Sequence, residues 1–228
     1  MSDHDQPTCY LKTDRTRVRH HPERAAYDQV LVHEILDQSL HCHIAWVEAG
    51  EPRQLPAACW RDGNALYIHS GRANNMLKAL SDGRTSCVSV SHIDGLVLSR
   101  SAMDTSVNYR SVVIYGQFFE VIAPQEKYRQ LKLFFRHVLP GRWEEVRPPS
   151  EKELAVTTIL GIPLDESVAK QRSGPPCDSE ADMALPVWAG VLSRETRWSQ
   201  IETDPHCGDL AIAPSATQAF HQRQWTQK

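Results

Sequence analysis

The sequence contains 228 residues, of which 41% are hydrophobic and 23% are charged, and its formal net charge is −3. This length suits one domain of generous size or a domain with a tail, and the composition is ordinary for a soluble globular protein. The small negative charge gives no electrostatic reason to expect nucleic acid or an anionic membrane as a partner.

No stretch of the sequence has the apolar core of a signal peptide or the length of a membrane span, so we expect a cytoplasmic protein. None of the six cysteines forms a C-x-x-C pair, and an intracellular chain of this size does not need disulfides. His41 and His43 would share one face of a strand, but no third ligand follows at a recognisable spacing. We therefore predict neither a disulfide framework nor a metal site.

The first part of the chain changes from a polar arm to a helix and then to strands. Residues 1–20 are polar and rich in arginine, and we predict a flexible N-terminal arm. Pro22 is suited to begin a helix that extends to about Gln38. Alternating apolar residues, separated by turn-rich segments, then predict strands at 41–48, 54–60 and 65–69.

The strand at 65–69 leads through Ser70 and Gly71 into a predicted helix. Helical spacing marks a buried stripe formed by Ala73, Met76, Leu77 and Leu80. Such a corner directs backbone N–H groups and the helix dipole towards the space beyond the strand, where an anion, most commonly a phosphate, is favoured. The residues alone also allow an ordinary strand-to-helix joint with a solvated polar face.

The middle of the chain returns to strands. A tight turn at Asp94–Gly95 is predicted to join the two strands of a hairpin, because this pair suits a positive φ. A long strand follows at 109–122, in which Gly116 marks a bulge or a close backbone approach. Pro124 is then suited to begin a helix.

Ser150 and Glu153 form a capping box that begins another short helix. Residues 158–174 return to strand, and the last apolar run ends near Ser193. Beyond it the pattern dissolves, and we predict a partly disordered C-terminal extension over residues 193–228. Several alternating strands, interrupted by few helices, favour an antiparallel barrel flanked by helices over a parallel sheet.

Six segments carry a family resemblance, in this order along the chain: RTRVRHHPERAAYD, LPAACWRDGNALYIHS, VSVSHIDGLVLSRSAMDTSVNYRSVVIYG, PGRWEEVRPPSEKEL, ESVAKQRSGPP and ALPVWAGVL. Together they resemble the FMN-binding split β-barrel superfamily related to pyridoxamine 5′-phosphate oxidase, and most closely its nitroimidazole-resistance (Nim-type) branch. The resemblance implies a mainly β fold with flanking helices, an antiparallel split β-barrel that occupies residues 21–192.

The resemblance also implies FMN as the cofactor. Its phosphate would lie at the corner after the strand at 65–69, held by Ser70, Arg72, Asn75 and Lys78. Its isoalloxazine ring would lie against the strand that contains Pro56, Ala57, Ala58 and Cys59. Small residues there would allow a close backbone approach, and shaping of an edge strand is the alternative role.

Three further residues are implied by the resemblance. Tyr109 and Arg110 begin a strand, and Arg110 would reach the phosphate or the N1/C2=O edge of the flavin, with a solvated arginine at the barrel rim as the alternative. Trp188 would lie close to the cofactor of the partner subunit, unless it belongs to the core. The family forms homodimers with two equivalent cofactor sites built across the subunit interface, and we expect the same here.

His69 stands where Nim-type proteins have a histidine beside the flavin. It could donate a proton to a reduced nitro or carbonyl oxygen, or it could be a histidine hydrogen-bonded at the end of a strand. The resemblance therefore implies an oxidoreductase that passes electrons from a reduced donor through FMN to a small nitro or aromatic compound.

Several alternatives remain open from the sequence. They are a non-catalytic flavin-binding redox sensor or reservoir, a haem-binding split barrel, and a flavin other than FMN, such as F420. Oxidation of pyridoxamine phosphate itself is not expected, because the substrate-binding arginine–histidine motif of that enzyme has no counterpart near the C-terminus.

Overall fold

The computed structural model describes residues 8–222 of the chain. Over this range ten strands form one antiparallel sheet: β1 (Ala25–Ala26), β2 (His41–Glu48), β3 (Glu51–Asp62), β4 (Ala65–Gly71), β5 (Thr85–Leu98), β6 (Ser106–Gln117), β7 (Phe119–Glu120), β8 (Thr157–Pro163), β9 (Ser167–Arg172) and β10 (Gly190–Ser193). The α-helices are α1 (Gln29–Asp37), α2 (Asn75–Leu80), α3 (Pro124–Val138), α4 (Glu151–Val156) and α5 (Pro214–Gln222). None of the helices in this range is long and apolar enough to cross a membrane.

The strand order is β1-β9-β6-β5-β2-β3-β4-β8-β7, and β10 pairs with β5. β3 connects two halves of the sheet, because residues 51–58 pair with β2 and residues 59–62 pair with β4. The sheet is thereby divided at β3 in the manner of a split barrel. The predicted fold class, mainly antiparallel β with flanking helices, is confirmed.

The barrel interior is filled by the inward side chains of the strands and by two helices. Ile44, Leu66, Ile114 and Ile162 are buried in this core. α1 adds Val32, Ile35 and Leu36 to the same cluster, and α2 adds Met76, Leu77 and Leu80. Each such side chain contributes about 1.5–3 kcal/mol through burial. α1 and α2 therefore close the barrel, and only Ala73 of the stripe predicted for α2 is exposed.

α3 covers the opposite, outward side of the sheet around β3, β4 and β8. Trp60, Tyr67 and Ile159 form a second buried cluster there, against which Leu131 and Phe134 of α3 pack. The indole N–H of Trp60 donates to Oε1 of the buried Gln130 at 2.8 Å, so the helix is held in place by a polar contact as well as by apolar packing.

The turn predicted at Asp94–Gly95 is wrong. β5 continues to Leu98, and only a local irregularity in the pairing with β6 occurs between Ile93 and Gly95. A Cβ on Gly95 would lie 2.7 Å from the backbone oxygen of Leu192, so glycine is needed here for the close approach of β10. Gly116 also marks a close approach, because its Cβ would lie 3.2 Å from Cγ1 of Ile162.

The helix predicted to begin at Pro22 starts seven residues later. Pro22 opens only a 3₁₀ turn, and β1 then pairs with β9 before α1 begins at Gln29. Asp28 caps α1 by accepting the backbone N–H of Leu31 at 2.9 Å. The pairing of β1 with β9 therefore prevents the helix from beginning at Pro22, where the sequence predicts its start.

Described residues of both terminal segments contact the folded domain. In the N-terminal arm, Tyr10 is buried and its hydroxyl donates to Oδ1 of Asn64 at 2.6 Å. Burial raises the pKa of this phenol to about 12. In the C-terminal extension, Ser215 at the start of α5 donates from its backbone N–H and its hydroxyl to Glu145, at 2.9 and 2.7 Å.

Candidate functional site

The outward side of β3, β2, β5, β6 and β9 forms a floor, which we call the open face. Side chains alternate along these strands, so that Cys42 and Ile44 are buried while His41 and His43 are exposed. The open face carries mostly small or polar side chains, which leave room for a flat ligand.

One row of residues crosses the open face from strand to strand. His41 pairs with Ala58, Ser91 pairs with Ser111, and Ser111 pairs with Lys170. The pairing of β2 with β5 places His41 beside Ser91. Four strand spacings of about 4.8 Å give this row a length of about 19 Å along the sheet.

His69 lies at the rim of the open face, where the cover provided by α3 ends. Cys59 of β3 and Ile68 of β4 are paired and buried, so Ala58 and His69 both point outward. The ring centroid of His69 is 4.6 Å from that of Phe134 and 5.6 Å from that of Trp60.

The imidazole of His69 has no hydrogen-bond partner among residues 8–222, and its Nδ1 is fully buried. Burial without a compensating charge lowers the pKa of His69 below its usual value of 6.5. A neutral imidazole with an unused nitrogen is unusual in a folded chain, and it is the form in which histidine ligates a metal.

The corner after β4 has the predicted shape, but several of its backbone donors are already engaged. Oδ1 of Asn74 accepts the N–H groups of Met76 and Leu77 at 2.9 and 3.4 Å, and Nδ2 of Asn74 donates to the hydroxyl of Ser70 at 3.1 Å. The other three predicted phosphate ligands, Arg72, Asn75 and Lys78, are exposed to solvent. Ser70 follows His69 in the strand, so the two side chains point to opposite sides of β4.

The predicted ring-binding strand presents only two of its four side chains to the open face. Pro56 and Ala58 are exposed there, whereas Ala57 packs against the core and Cys59 is buried. A hydrogen bond from the Cys59 thiol to Cys42, together with burial, raises the pKa of the Cys59 thiol well above its usual value. Cys59 could therefore reach a ligand only through its backbone.

Tyr109 and Arg110 point to opposite sides of β6. The guanidinium of Arg110 donates to Asp94 at 2.8 and 3.0 Å and to Gln38 at 2.6 Å, at the edge of a cavity of about 280 Å³. Trp188 precedes β10 and is 66% exposed, with its ring lying over Gly190. The predicted site residues thus fall into separate groups, of which Pro56, Ala58, His69 and Tyr109 share the outward side.

A larger groove of about 800 Å³ adjoins the β9 end of the open face. Tyr109, Lys170 and Arg172 line it together with the end of the N-terminal arm and the loop between β5 and β6. Neither cation is assigned to a site by the sequence alone. The signal that could have found them is their spacing in AKQR, which places Lys170 and Arg172 on one face of a strand.

Comparisons with known proteins agree with this fold. The family model described as pyridoxamine 5′-phosphate oxidase matches residues 28–171. The flavocytochrome Anf3 from Azotobacter vinelandii is 34% identical, with a TM-score of 0.85 over 91% of this chain and 97% of that one. The FAD and haem binding protein from Mycobacterium smegmatis is 30% identical, with a TM-score of 0.82 over 86% and 97%.

A protein from Bacteroides thetaiotaomicron, described as a putative 5-nitroimidazole antibiotic resistance protein, is 20% identical. Its TM-score is 0.53 over 64% of this chain and 85% of that one. At this identity the likeness extends to the fold alone. The comparison with curated proteins found no match.

Proposed function

Because the chain belongs to the pyridoxamine 5′-phosphate oxidase family, we propose that it is a redox protein that binds a flavin on the open face and a haem at His69. The two solved structures at 34% and 30% identity are a flavocytochrome and a protein that binds FAD and haem. When bound, a flavin exchanges one or two electrons and a haem iron exchanges one, so the pair can connect donors and acceptors of different kinds.

The observation that carries the haem assignment is the unpartnered imidazole of His69. A haem needs an axial nitrogen, and its macrocycle needs an apolar surround. Trp60 and Phe134 supply aromatic walls on the ring of His69, and α3 excludes water from Nδ1. The depressed pKa keeps the imidazole neutral near pH 7, so that its other ring nitrogen, Nε2, is available as a ligand without loss of a proton.

The open face supports the flavin assignment. Ala58 and Pro56 allow the backbone of β3 to approach a flat ring closely, and Ser91 and Ser111 leave the floor shallow. Neutral side chains that hydrogen-bond the edge of the ring would orient it, while charges near the ring tune its potential. The flavin is FMN in the interpretation of the sequence, and FAD is the alternative that the Mycobacterium smegmatis protein favours.

A second activity, reduction of small nitro or aromatic compounds by way of the flavin, remains a proposal from the family resemblance. It would use His69 as a proton donor. The depressed pKa of His69 weakens it in that role, because a general acid must be protonated at the working pH. The same side chain is better suited to ligation.

We also propose a homodimer that covers the open face of each chain. Apolar side chains at one border of that face are exposed to solvent. They are Leu96, its register partner Leu192, and Trp188. Exposed apolar patches of this kind usually mark protein contacts. An isologous pairing would give each flavin site residues from both chains.

The test is the absorbance spectrum of the full chain after reconstitution with haem and flavin. A Soret band and flavin bands near ~370 and ~450 nm are expected together. His69→Ala should abolish the Soret band and retain the flavin bands, while His206→Ala, a change in an exposed histidine of the C-terminal extension, should alter neither.

Four results would contradict the proposal in whole or in part. Absence of both bands in the wild type rejects it entirely, and absence of the Soret band alone rejects the haem. An unchanged Soret band in His69→Ala rejects His69 as its ligand. Turnover of a nitroaromatic with reduced nicotinamide, equal in flavin-only and haem-loaded protein and lost in His69→Ala, would favour the proton-donor role instead.

A further inference from the structure

The cavity of about 280 Å³ beside Arg110 lies at the end of the barrel where α1 is followed by β2. Residues 38–41 form one wall, and Ser91 and His92 of β5 form a second wall together with Arg110 of β6. The third wall consists of residues 196–198. The C-terminal extension therefore completes a cavity that the barrel alone leaves open.

Contacts on both sides of the cavity determine the course of the extension. Directly after β10, the backbone N–H of Arg194 donates to the backbone oxygen of Asp94 at 2.9 Å. Trp198 lines the cavity and also lines an apolar cavity of about 320 Å³ beside Val138, at the end of α3. The segment between these two contacts contains Arg197, which is thereby placed at the cavity.

With its histidines counted as neutral, the cavity has one positive charge in excess. The guanidinium of Arg110 is paired with the carboxylate of Asp94 at 2.8 and 3.0 Å. Burial lowers the pKa of His92, whose Nε2 donates to the backbone oxygen of Ile35 at 3.0 Å. Among residues 8–222, no carboxylate lies within 4.0 Å of the guanidinium of Arg197. One uncompensated cation favours a ligand with a single negative charge.

The walls and the size of the cavity favour a flat ligand. The indole of Trp198 and the imidazole of His41 both line it, and such rings pack well against another aromatic ring. Gln38 accepts from Arg110 with Oε1 at 2.6 Å, which leaves its Nε2 as a donor. The volume lies just below the range of about 300–1,000 Å³ that is usual for small-molecule sites, so one ring with short substituents fits and a nucleotide does not.

We propose that this cavity binds a small aromatic carboxylate, whose charge pairs with Arg197 and whose ring packs against Trp198. The binding itself requires no cofactor. Its use as a substrate site rests on the proposed function, since His41 is the register partner of Ala58 and neighbouring strands are about 4.8 Å apart. A ligand in the cavity would therefore lie at the edge of a flavin ring placed over Ala58.

The test measures binding to the full, cofactor-free chain by isothermal titration calorimetry with three probes. Benzoate should bind about tenfold more tightly than benzamide, which keeps the ring and loses the charge. Benzoate should also bind more tightly than cyclohexanecarboxylate, which keeps the charge and loses the flat ring.

Variants then assign the two contacts. Arg197→Gln should weaken benzoate about tenfold and change benzamide less than about twofold, because only the charged probe uses the guanidinium. Trp198→Leu should remove the preference for benzoate over cyclohexanecarboxylate, whereas Trp198→Phe should retain most of it. Lys152→Gln, at an exposed position of α4, controls for the change in net charge and should bind benzoate as wild type does.

A second measurement uses the wild-type chain alone. Benzoate should slow the modification of Arg197 by phenylglyoxal, read by peptide mass spectrometry, while benzamide should not. The rate at Arg136, an exposed arginine of α3 outside the cavity, should be unchanged. In the flavin-reconstituted chain, benzoate should in addition shift the absorbance bands of the flavin.

The outcomes separate this inference from the proposed function. If benzoate binds no tighter than benzamide, or equally well to Arg197→Gln, the inference is wrong whether or not a flavin binds. If wild type binds no flavin, the proposed function fails, and the benzoate measurements still decide the inference. Benzoate that binds at Arg197 and leaves the flavin bands unchanged would reject the cavity as a substrate site of the flavin. If Arg197→Gln weakens haem, read from the Soret band, and leaves benzoate unchanged, the cation binds a haem carboxylate and the inference is wrong.

Discussion

The guanidinium of Arg110 donates to both carboxylate oxygens of Asp94, at 2.8 and 3.0 Å, and the two side chains are about four-fifths buried. This pair joins β6 to β5 next to the irregularity in their pairing, where backbone hydrogen bonds are disturbed. A role of Arg110 in binding the flavin would require this ion pair to open or to be shared.

We therefore expect the pair to contribute mainly to stability. Asp94→Ala and Arg110→Ala should each lower the free energy of unfolding by about 1–3 kcal/mol, because each leaves a partly buried charge without its partner. The double variant should lose less than the sum. Urea unfolding measures all three, and strictly additive losses would mean that the two groups act independently.

Gln130 of α3 accepts a hydrogen bond from Trp60, and this contact helps to hold the helix over the sheet beside His69. Gln130→Leu should lower the free energy of unfolding by about 1–3 kcal/mol, because the buried indole N–H of Trp60 is left without an acceptor. Replacing both partners, in Trp60→Phe with Gln130→Leu, should recover part of that loss. Arg136→Ala, at an exposed position of the same helix, is the control and should stay within about 0.5 kcal/mol.

Stability should depend on pH through His69. Burial lowers its pKa below 6.5 in the folded chain, so near and below pH 6.5 the unfolded chain binds more protons than the folded one. The free energy of unfolding of the cofactor-free chain should therefore decrease as the pH falls from 7 towards 5. His69→Phe keeps an aromatic ring and should make this decrease shallower.

The slope should not vanish in His69→Phe, because burial lowers the pKa values of His33 and His92 in the same direction. His206→Gln removes an exposed histidine and should leave the slope unchanged. A slope in His69→Phe that equals that of wild type, measured by urea unfolding at several pH values, would show that His69 is not desolvated in solution.

The strands and the family were predictable because their signals are local. Alternation located β2, β3 and β4, the capping box of Ser150 and Glu153 is present, and the family inferred from motifs is confirmed. The hairpin at Asp94–Gly95 was wrong because Gly95 is required by β10, which is about a hundred residues away in sequence. Local turn propensity cannot report such a contact.

The site was predictable only in part, for the same reason. Period-two alternation predicts that His69 and Ser70 point to opposite sides of β4, but not that α3 covers one of those sides. Whether Arg110 is available to a ligand depends on its contacts with Asp94 and Gln38, and Gln38 lies on a different element of the fold. These are properties of the packed chain.

The last prediction concerns the proposed dimer. Leu192 and Leu96 are register partners with about half of each residue exposed, and the exposed Trp188 precedes the strand that contains Leu192. Covering such a patch removes apolar surface from water, at roughly 25 cal/mol per Å². Wild type should therefore sediment with the mass of two chains at micromolar concentration.

Leu192→Glu would place a charge in that contact and should shift the mass to one chain, because an unpaired buried charge costs more than the contact returns. Flavin affinity should fall in the same variant if Trp188 of one chain completes the site of the other. Ile122→Thr removes an exposed apolar side chain after β7 and should leave both mass and affinity unchanged. A monomeric wild type would reject the proposed dimer. A dimeric Leu192→Glu would show that this apolar patch is not part of the dimer contact.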